Sequence, residues 1–122
     1  MFLQLCKSKI HQAIVTQAHI EYQGSITIDK ELLDAAGILP YEKVLIASFE
    51  TGERFETYAI EGEPGSRVIC LNGAAAKRVK VGDKITIMAF AYCTPEEAKD
   101  FIHTNILLNK KNEILNVTPA LK

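Results

Sequence analysis

A glycine followed by a serine, Gly24-Ser25, is the residue pair in this sequence with the most distinctive potential chemistry. A serine hydroxyl can attack the carbonyl before it, which turns the peptide bond into an ester. Elimination then leaves dehydroalanine, and hydrolysis leaves a pyruvoyl ketone at a new N-terminus. Such a ketone is an electron sink, which enzymes otherwise take from a bound cofactor. Glycine before the serine favours the first step because it tolerates strained backbone and close approach.

A second Gly-Ser pair, Gly65-Ser66, shows how little the dipeptide means by itself. It follows Glu63-Pro64 and precedes Arg67, a composition that predicts an ordinary turn. A tight turn is also the simplest interpretation of the first pair. What distinguishes Gly24-Ser25 is therefore the set of motifs that surrounds it along the rest of the chain.

Five stretches, in order and with matching spacing, carry a resemblance to one enzyme family. They are Lys9-Ile10-His11, Tyr22-Gln23-Gly24-Ser25, Leu33 to Ile38, Gly52 to Ile60, and Leu71 to Ala76. Together they resemble the bacterial aspartate 1-decarboxylases, from about residue 3 to about residue 93. The resemblance implies a carbon-carbon lyase that converts L-aspartate to β-alanine and carbon dioxide for pantothenate, and hence coenzyme A, synthesis.

The resemblance also implies a zymogen that cuts itself. A single-domain precursor, residues 1–122, would cleave between Gly24 and Ser25 into a β chain (1–24) and an α chain (25–122). The α chain would begin with a pyruvoyl group made from Ser25, which forms a Schiff base with the substrate amine. No pyridoxal phosphate and no metal are expected. A homotetramer with active sites at subunit contacts is expected, and a maturation factor stays open as a further partner.

Two cations are candidates for the substrate carboxylates. Lys9, which we expect at a strand edge, is most simply interpreted as a solvated surface residue. Arg54, which follows a turn at the start of a strand, has the same simple interpretation. The family resemblance places both in the site. Aspartate carries two carboxylates, and a guanidinium grips one of them through two directional hydrogen bonds. The sequence leaves open which carboxylate each residue contacts.

The neighbours Thr57 and Tyr58 are also candidates, although β-propensity alone explains both residue types. The resemblance assigns Thr57 to self-cleavage and substrate contact, where its hydroxyl can stabilise an oxyanion. It assigns Tyr58 as the proton donor to the carbanion left after decarboxylation. Adjacent residues of a strand point to opposite faces. A shared site therefore requires a bend, a bulge or a subunit boundary.

The segment that begins at Asn72 is the last distinctive motif. Its ordinary interpretation is a short helix capped by Asn72, whose free backbone N–H groups favour a carboxylate. The resemblance places Gly73, Ala74 and Ala75 against the substrate, and Asn72 can orient the pyruvoyl carbonyl. Two further residues, His11 and Tyr22, are candidates for shaping the pocket.

One strand departs from the family pattern. Several members have a large aromatic residue near the centre of Lys43 to Phe49, where this chain has Ala47 and Ser48. The smaller side chains are expected to widen one wall of the pocket.

Composition narrows the class of partner. The chain has a formal net charge of −1 and a pI near 6.3, so it lacks the excess of positive charge that favours binding to nucleic acid or anionic membranes. No apolar run reaches the roughly 18 residues that a membrane span needs. The three cysteines lack the spacing of metal ligands. Their odd number argues against a disulfide framework, and we expect them as buried apolar residues in the reducing cytoplasm.

Short strands dominate the pattern along the chain. Alternating or apolar runs predict strands at Ala13 to Ile20, 26–28, 43–49, 54–60, 67–71 and 84–92. Two short helices are predicted, one capped by Asp29 over Lys30 to Ala36 with Gly37 as its stop, the other capped by Thr94 with Pro95 at its first position. Residues 110–114 predict a hairpin turn into a last strand, with a loose tail after Glu113.

These patterns predict a mainly-β barrel, and the family resemblance makes it a small six-stranded double-psi barrel with a few short helices. Two other functions remain open. A non-catalytic barrel that serves as a binding module would be an intact chain without a ketone. A barrel-type DNA-binding regulator would need a basic patch and would bind in a salt-dependent way. An aspartic protease is set aside because Glu50-Thr51-Gly52 has a glutamate in place of the required aspartate.

Overall fold

The computed structural model describes residues 1–119, and these form nine strands and three short helices. The strands are β1 (Leu3–Ile14), β2 (Gln17–His19), β3 (Ser25–Asp29), β4 (Lys43–Ser48), β5 (Arg54–Gly62), β6 (Ile69–Asn72), β7 (Lys84–Cys93), β8 (Thr104–Leu108) and β9 (Ile114–Thr118). The helices are α1 (Lys30–Ala36), α2 (Pro95–Ala98) and a 3-10 helix (Gly73–Lys77). None of the helices in residues 1–119 is long and apolar enough to cross a membrane.

The strands join in one sheet in the order β2-β6-β3-β5-β4-β7-β1-β8-β9. Three neighbouring pairs are parallel, namely β1 with β8, β2 with β6, and β3 with β5. The predicted mainly-β class with few helices is confirmed. The finer prediction of six strands in a closed double-psi barrel is not, because the sheet has nine strands and its described order does not close. Periodicity reveals strands but carries no information about which strands pair.

The longest strand, β1, was only partly predicted. It pairs with β7 on one side and with β8 on the other, so it is central along residues 8–11. Its inward positions include Ser8 as well as Ile10, both at most 1% exposed, and the serine masks the apolar alternation. The prediction that Lys9 lies at a strand edge is therefore wrong, since this residue has paired strands on both sides.

The helix ends follow the predicted capping chemistry. Asp29 accepts a hydrogen bond from the Glu31 backbone N–H at 2.8 Å, and Gly37 ends α1 with a φ of 69°. Thr94 and Glu97 form a reciprocal capping box at the start of α2. Buried Asp29 also accepts from the Gly65 N–H at 3.0 Å, so it fixes the Gly65-Ser66 turn to the start of α1.

The interior of the sheet is filled by aliphatic side chains from most strands. Fully buried examples are Ile10, Ile26, Ile46, Ile87 and Ile106, each 0% exposed. At the C-terminal end, the predicted hairpin turn is confirmed between β8 and β9. The predicted loose tail after Glu113 is wrong over Ile114–Thr118, which pair with β8. The rest of that predicted tail, residues 120–122, lies outside the described residues.

Candidate active site

The first residue of β3, Ser25, lies at the end of an antiparallel ladder opposite Asn72, the last residue of β6. Its side chain is buried, with 1% of the residue exposed. Asn72 Nδ2 donates hydrogen bonds to Ser25 Oγ at 2.9 Å and to Thr27 Oγ1 at 3.1 Å. The ladder therefore brings a buried hydroxyl and an amide donor together from positions 47 residues apart.

The orientation of the Asn72 amide is set from its other side. Cys70 Sγ donates to Asn72 Oδ1 at 3.3 Å, which leaves the NH₂ group to face Ser25. Burial raises the pKa of the Cys70 thiol, so the thiol keeps the proton that it donates. The predicted helix after Asn72 is a 3-10 helix, and the predicted side-chain cap is wrong because the Asn72 side chain makes no capping bond.

Thr57 and Tyr58 line one cleft of about 350 Å³ together with Gly24, Ala74 and Ala75. The reason lies in the parallel ladder between β3 and β5, whose first pair is Ile26 with Ala59. If that register is continued backwards, Ser25 faces Tyr58 one residue earlier, and Gly24 faces Thr57 two residues earlier. The cleft thus opens where β5 runs beyond the start of β3.

The strand that carries Thr57 and Tyr58 has no bulge that would bring their side chains to one face. The β4–β5 ladder runs through both residues with no register shift. Along residues 54–58 the other edge of β5 has no strand partner among the described residues, because its pairing with β3 covers only residues 59–62. Of the three ways in which these neighbours were expected to serve one site, the bulge is wrong, and the bend and the subunit boundary stay predictions.

Lys9, His11 and Arg54 line a different cleft, of about 310 Å³, whose wall includes Ala47 and Ser48. Neither Lys9 nor Arg54 forms a salt bridge with any described residue. Ala47 faces this cleft as expected for a widened wall. Ser48, by contrast, is buried and accepts a hydrogen bond from the Thr51 N–H at 3.3 Å, so its role is in the hairpin turn.

His11 does not add a third positive charge to this cleft. Partial burial, with smaller effects from the charges of Lys9 and Lys84, lowers the pKa of His11 below its ordinary value. Its ring is therefore neutral at pH 7. The second sequence-predicted pocket residue, Tyr22, lies in a third cleft beside Ser25 and Asn72, and its ring is tilted by 33° against that of His19, with centroids 4.8 Å apart.

Within one chain the candidate residues therefore lie in three clefts, those of Ser25, of Gly24 and of Lys9. Lys9 pairs with Met88, Met88 with Leu45, and Leu45 with Glu56, which precedes Thr57. Three strand spacings of about 4.8 Å separate Lys9 from Glu56 by roughly 14 Å along the sheet. The cation cleft and the Gly24 cleft are not one pocket in a single copy.

The structure adds residues that the sequence reasoning missed. Thr27 shares the Asn72 donor with Ser25, and its position two residues along the same strand was the available signal. Cys70 lies two residues before Asn72 on β6, so the same alternation along a strand was the available signal for their contact. Thr86 lines the cation cleft, with its Oγ1 3.4 Å from His11 Nδ1.

The other Gly-Ser pair has none of this environment. Ser66 is exposed, and its Oγ accepts a hydrogen bond from the Val68 N–H at 3.3 Å. Its backbone N–H donates to Glu63 O at 3.1 Å, which closes a turn. The interpretation of Gly65-Ser66 as an ordinary turn is confirmed.

Comparison with known proteins agrees with the motifs. A family model described as aspartate decarboxylase matches residues 1–115. A protein of Clostridium acetobutylicum named aspartate 1-decarboxylase is 54% identical over 118 residues, covering 97% of this chain and 93% of that protein. Proteins of the same name from Caldicellulosiruptor saccharolyticus and Clostridium botulinum are 52% and 53% identical, each over 97% of this chain and covering 92% and 93% of their own lengths. The chain belongs to the aspartate decarboxylase family.

Proposed function

We propose that this chain is a self-processing aspartate 1-decarboxylase that converts L-aspartate to β-alanine and carbon dioxide for pantothenate synthesis. One observation carries the proposal beyond family membership. Of the two Gly-Ser pairs, only Gly24-Ser25 has its serine buried and hydrogen-bonded to a side-chain amide, with the glycine in an adjoining cleft. A hydroxyl that is held and shielded from water can attack its own backbone without competing hydrolysis.

The self-cleavage step uses three residues. Ser25 Oγ attacks the Gly24 carbonyl, the C–N bond breaks, and the ester that forms joins Gly24 to the serine side chain. Thr57, opposite Gly24 in the extended register, is the donor that stabilises the oxyanion. Loss of the Ser25 α-proton and cleavage of the bond between Ser25 Cβ and the ester oxygen leave a carboxylate at Gly24 and dehydroalanine at residue 25. The dehydroalanine tautomerises to an imine, water adds to it, and ammonia leaves, which gives the pyruvoyl ketone. The products are a β chain of residues 1–24 and an α chain of residues 25–122.

The surroundings of Ser25 fit a pyruvoyl group. In the uncut chain Asn72 Nδ2 donates a hydrogen bond to Ser25 Oγ at 2.9 Å. A ketone oxygen can accept a hydrogen bond from the same amide. The methyl side chains of Ala74 and Ala75 line the neighbouring cleft and leave room for substrate. The group itself supplies an electron sink for decarboxylation. Pyridoxal phosphate and a metal are not part of the proposal.

Tyr58 is proposed to deliver the proton that β-alanine gains. Its phenol lies at the same cleft as Gly24, and its ring stacks on Tyr41 with centroids 6.2 Å apart. The stack restrains the ring plane and therefore the direction of the hydroxyl. Tyr22 and His11 shape the walls of the adjoining clefts.

Lys9 and Arg54 are proposed to bind the substrate carboxylates, and we infer that a second copy completes the site. The two cations have no acidic partner among the described residues, yet they lie outside the Gly24 cleft. Large apolar or aromatic side chains remain exposed on one copy, as expected of an assembling surface. They include Phe2, Tyr22, Leu39, Tyr41, Val81, Tyr92 and Ile102. A homotetramer with active sites at subunit contacts accounts for both observations.

Three further features are part of the proposal. The parallel pairs β1–β8 and β3–β5 join strands distant in sequence and support a six-stranded double-psi barrel at the centre of the sheet.

The substrate and product are metabolites of the cytoplasm, where we place the enzyme. A maturation factor remains a partner to test, by comparing cleavage of purified precursor with cleavage in cell extract.

Intact mass spectrometry of the purified protein tests the central proposal. We expect two species, cut between Gly24 and Ser25, with the larger lacking the nitrogen of a free serine N-terminus. The chain carries its own control, because Gly65-Ser66 should stay uncut. An uncut protein that still decarboxylates aspartate would contradict self-processing. An uncut protein without activity would favour the non-catalytic binding module.

Arg54→Lys is expected to lower kcat/KM for L-aspartate by roughly ten- to a hundredfold. The charge is kept, but the planar two-pronged contact to a carboxylate is lost, which costs about 1.5–3 kcal/mol. Steady-state kinetics per pyruvoyl group measure the effect. Arg67→Lys is the matched control, since Arg67 lines none of the three clefts of the candidate site and forms a surface salt bridge with Glu113 at 3.7 Å. Equal kinetics for Arg54→Lys and wild type would remove Arg54 from the site.

A further inference from the structure

The strongest steric constraint at the cleavage site falls on Gly73. The β3–β6 ladder ends with Ser25 opposite Asn72, so the next opposing residues are Gly24 and Gly73. A Cβ added to Gly73 would lie 2.7 Å from both Gly24 Cα and Gly24 N, and 2.8 Å from Tyr22 O. All three are backbone atoms, which cannot swing aside as the end of a side chain can.

The reciprocal position carries no such constraint. A Cβ added to Gly24 meets no atom within 4 Å, and only Gly73 of the two has a left-handed φ, at +66°. In the uncut chain Gly24 therefore has neither a left-handed backbone nor a close neighbour at its Cβ position, and the expectation that glycine favours the attack itself stays a prediction. The close approach that glycine permits belongs to the residue across the ladder.

We propose that Gly73 is a positioning residue for self-cleavage, an inference that rests on the proposed function. Without a side chain, Gly73 lets the backbone from Tyr22 to Gly24 lie directly on the end of β6. This contact fixes the backbone of Gly24, whose carbonyl is the group that Ser25 attacks. The Ser25 hydroxyl is held in turn by Asn72, the neighbour of Gly73. One short segment, Asn72-Gly73, thus holds both the nucleophile and the peptide that it attacks.

The contact also distinguishes the environments of the two Gly-Ser pairs. A Cβ on Gly65 would meet only the end of the Glu31 side chain, at 3.8 Å, and no backbone atom within 4 Å. The Gly65 N–H is held by a hydrogen bond to the Asp29 side chain, and the turn is closed by the bond from the Ser66 N–H to Glu63 O. Backbone packing across a ladder is present at the first pair and absent at the second.

Gly73→Ala is expected to slow cleavage by about 100-fold, the scale of loss when reacting groups are displaced by about 1 Å. Cleaved fraction against time, followed by intact mass after expression and purification in the cold, is the measurement. Gly37→Ala is the matched control, because Gly37 has nearly the same φ, +69°, but a Cβ there meets no atom within 4 Å. Cleavage of Gly37→Ala at the wild-type rate separates the collision from the cost of the left-handed backbone.

Two results would overturn the proposal. One is cleavage of Gly73→Ala at the wild-type rate, and the other is equal slowing in both variants with matched falls in Tm. A further measurement avoids any variant at residue 73. In the uncut Ser25→Ala protein, an NMR cross-peak between the α-protons of Gly24 and Gly73 is expected, and its absence would also overturn the proposal. Failure of the wild type to cleave would instead refute the proposed function, while this cross-peak still tests the contact.

Discussion

Ser25→Ala is expected to give an uncut chain of 122 residues with no detectable decarboxylation of L-aspartate. The substitution removes the attacking oxygen and, with it, the only source of the ketone in the proposed chemistry. The fold should survive, because Asn72 Nδ2 retains Thr27 Oγ1 as an acceptor. Loss of one buried hydrogen bond costs about 0.5–1.5 kcal/mol. Intact mass, aspartate turnover and a thermal melt on one preparation check all three expectations.

Ser66→Ala is the control for that experiment, since it removes the hydroxyl of the second Gly-Ser pair. It should cleave and turn over as the wild type does. Borohydride added with aspartate should attach a stable mass to residues 25–122 of the wild type and to no part of Ser25→Ala. Equal labelling of a lysine in both proteins would point to ordinary lysine chemistry and away from Ser25.

Tyr58→Phe is expected to cleave normally yet decarboxylate slowly, with a loss of about 10²–10⁴-fold, as for a missing general acid. The ring and its stack on Tyr41 are kept, so only the hydroxyl is lost. Turnover per pyruvoyl group, with the cleaved fraction measured on the same sample, isolates the proton-transfer step. Tyr41→Phe keeps the same stack and removes the neighbouring hydroxyl, so it should turn over normally.

Thr57→Val should show the opposite order of damage, because Thr57 lies opposite Gly24 in the extended register and Tyr58 opposite Ser25. Cleavage should fail first, ahead of turnover per pyruvoyl group. Normal turnover of Tyr58→Phe per pyruvoyl group would mean that another donor, such as an ordered water, protonates the carbanion. Normal cleavage of Thr57→Val would remove Thr57 as the oxyanion donor.

The clefts suggest why the proposed enzyme would need more than one copy. Lys9 and Arg54 are cations without acidic partners among residues 1–119, and substrate carboxylates are their proposed partners. They lie in a cleft separate from Gly24 and Tyr58. Light scattering of the purified protein would report a tetramer if the proposal is right. A monomer with full activity would require both groups of residues to meet within one chain.

Several local features of the fold were predictable because their causes lie within a few residues. Asp29 caps α1 through the Glu31 N–H, two residues away, and Gly37 ends the helix with a positive φ. The capping box joins Thr94 to Glu97, three residues further along the chain. The β1 strand was harder, because Ser8 occupies an inward position where the alternation calls for an apolar residue. The β8 strand was not predicted at all.

The sequence by itself determined the family and the mainly-β class, and it singled out Gly24-Ser25 as the candidate for self-cleavage. These conclusions were possible because motifs and helix caps are formed by residues close together in the chain. Only the tertiary structure decided the environment of that pair. The Asn72 bond to Ser25 joins residues 47 apart, and the packing of Gly73 on Gly24 follows from the register of the same ladder. Strand pairing and register depend on contacts distant in the chain, which hydrophobic periodicity does not encode. For that reason the sequence pointed to Gly24 as the glycine that matters, and the structure placed the steric requirement on Gly73.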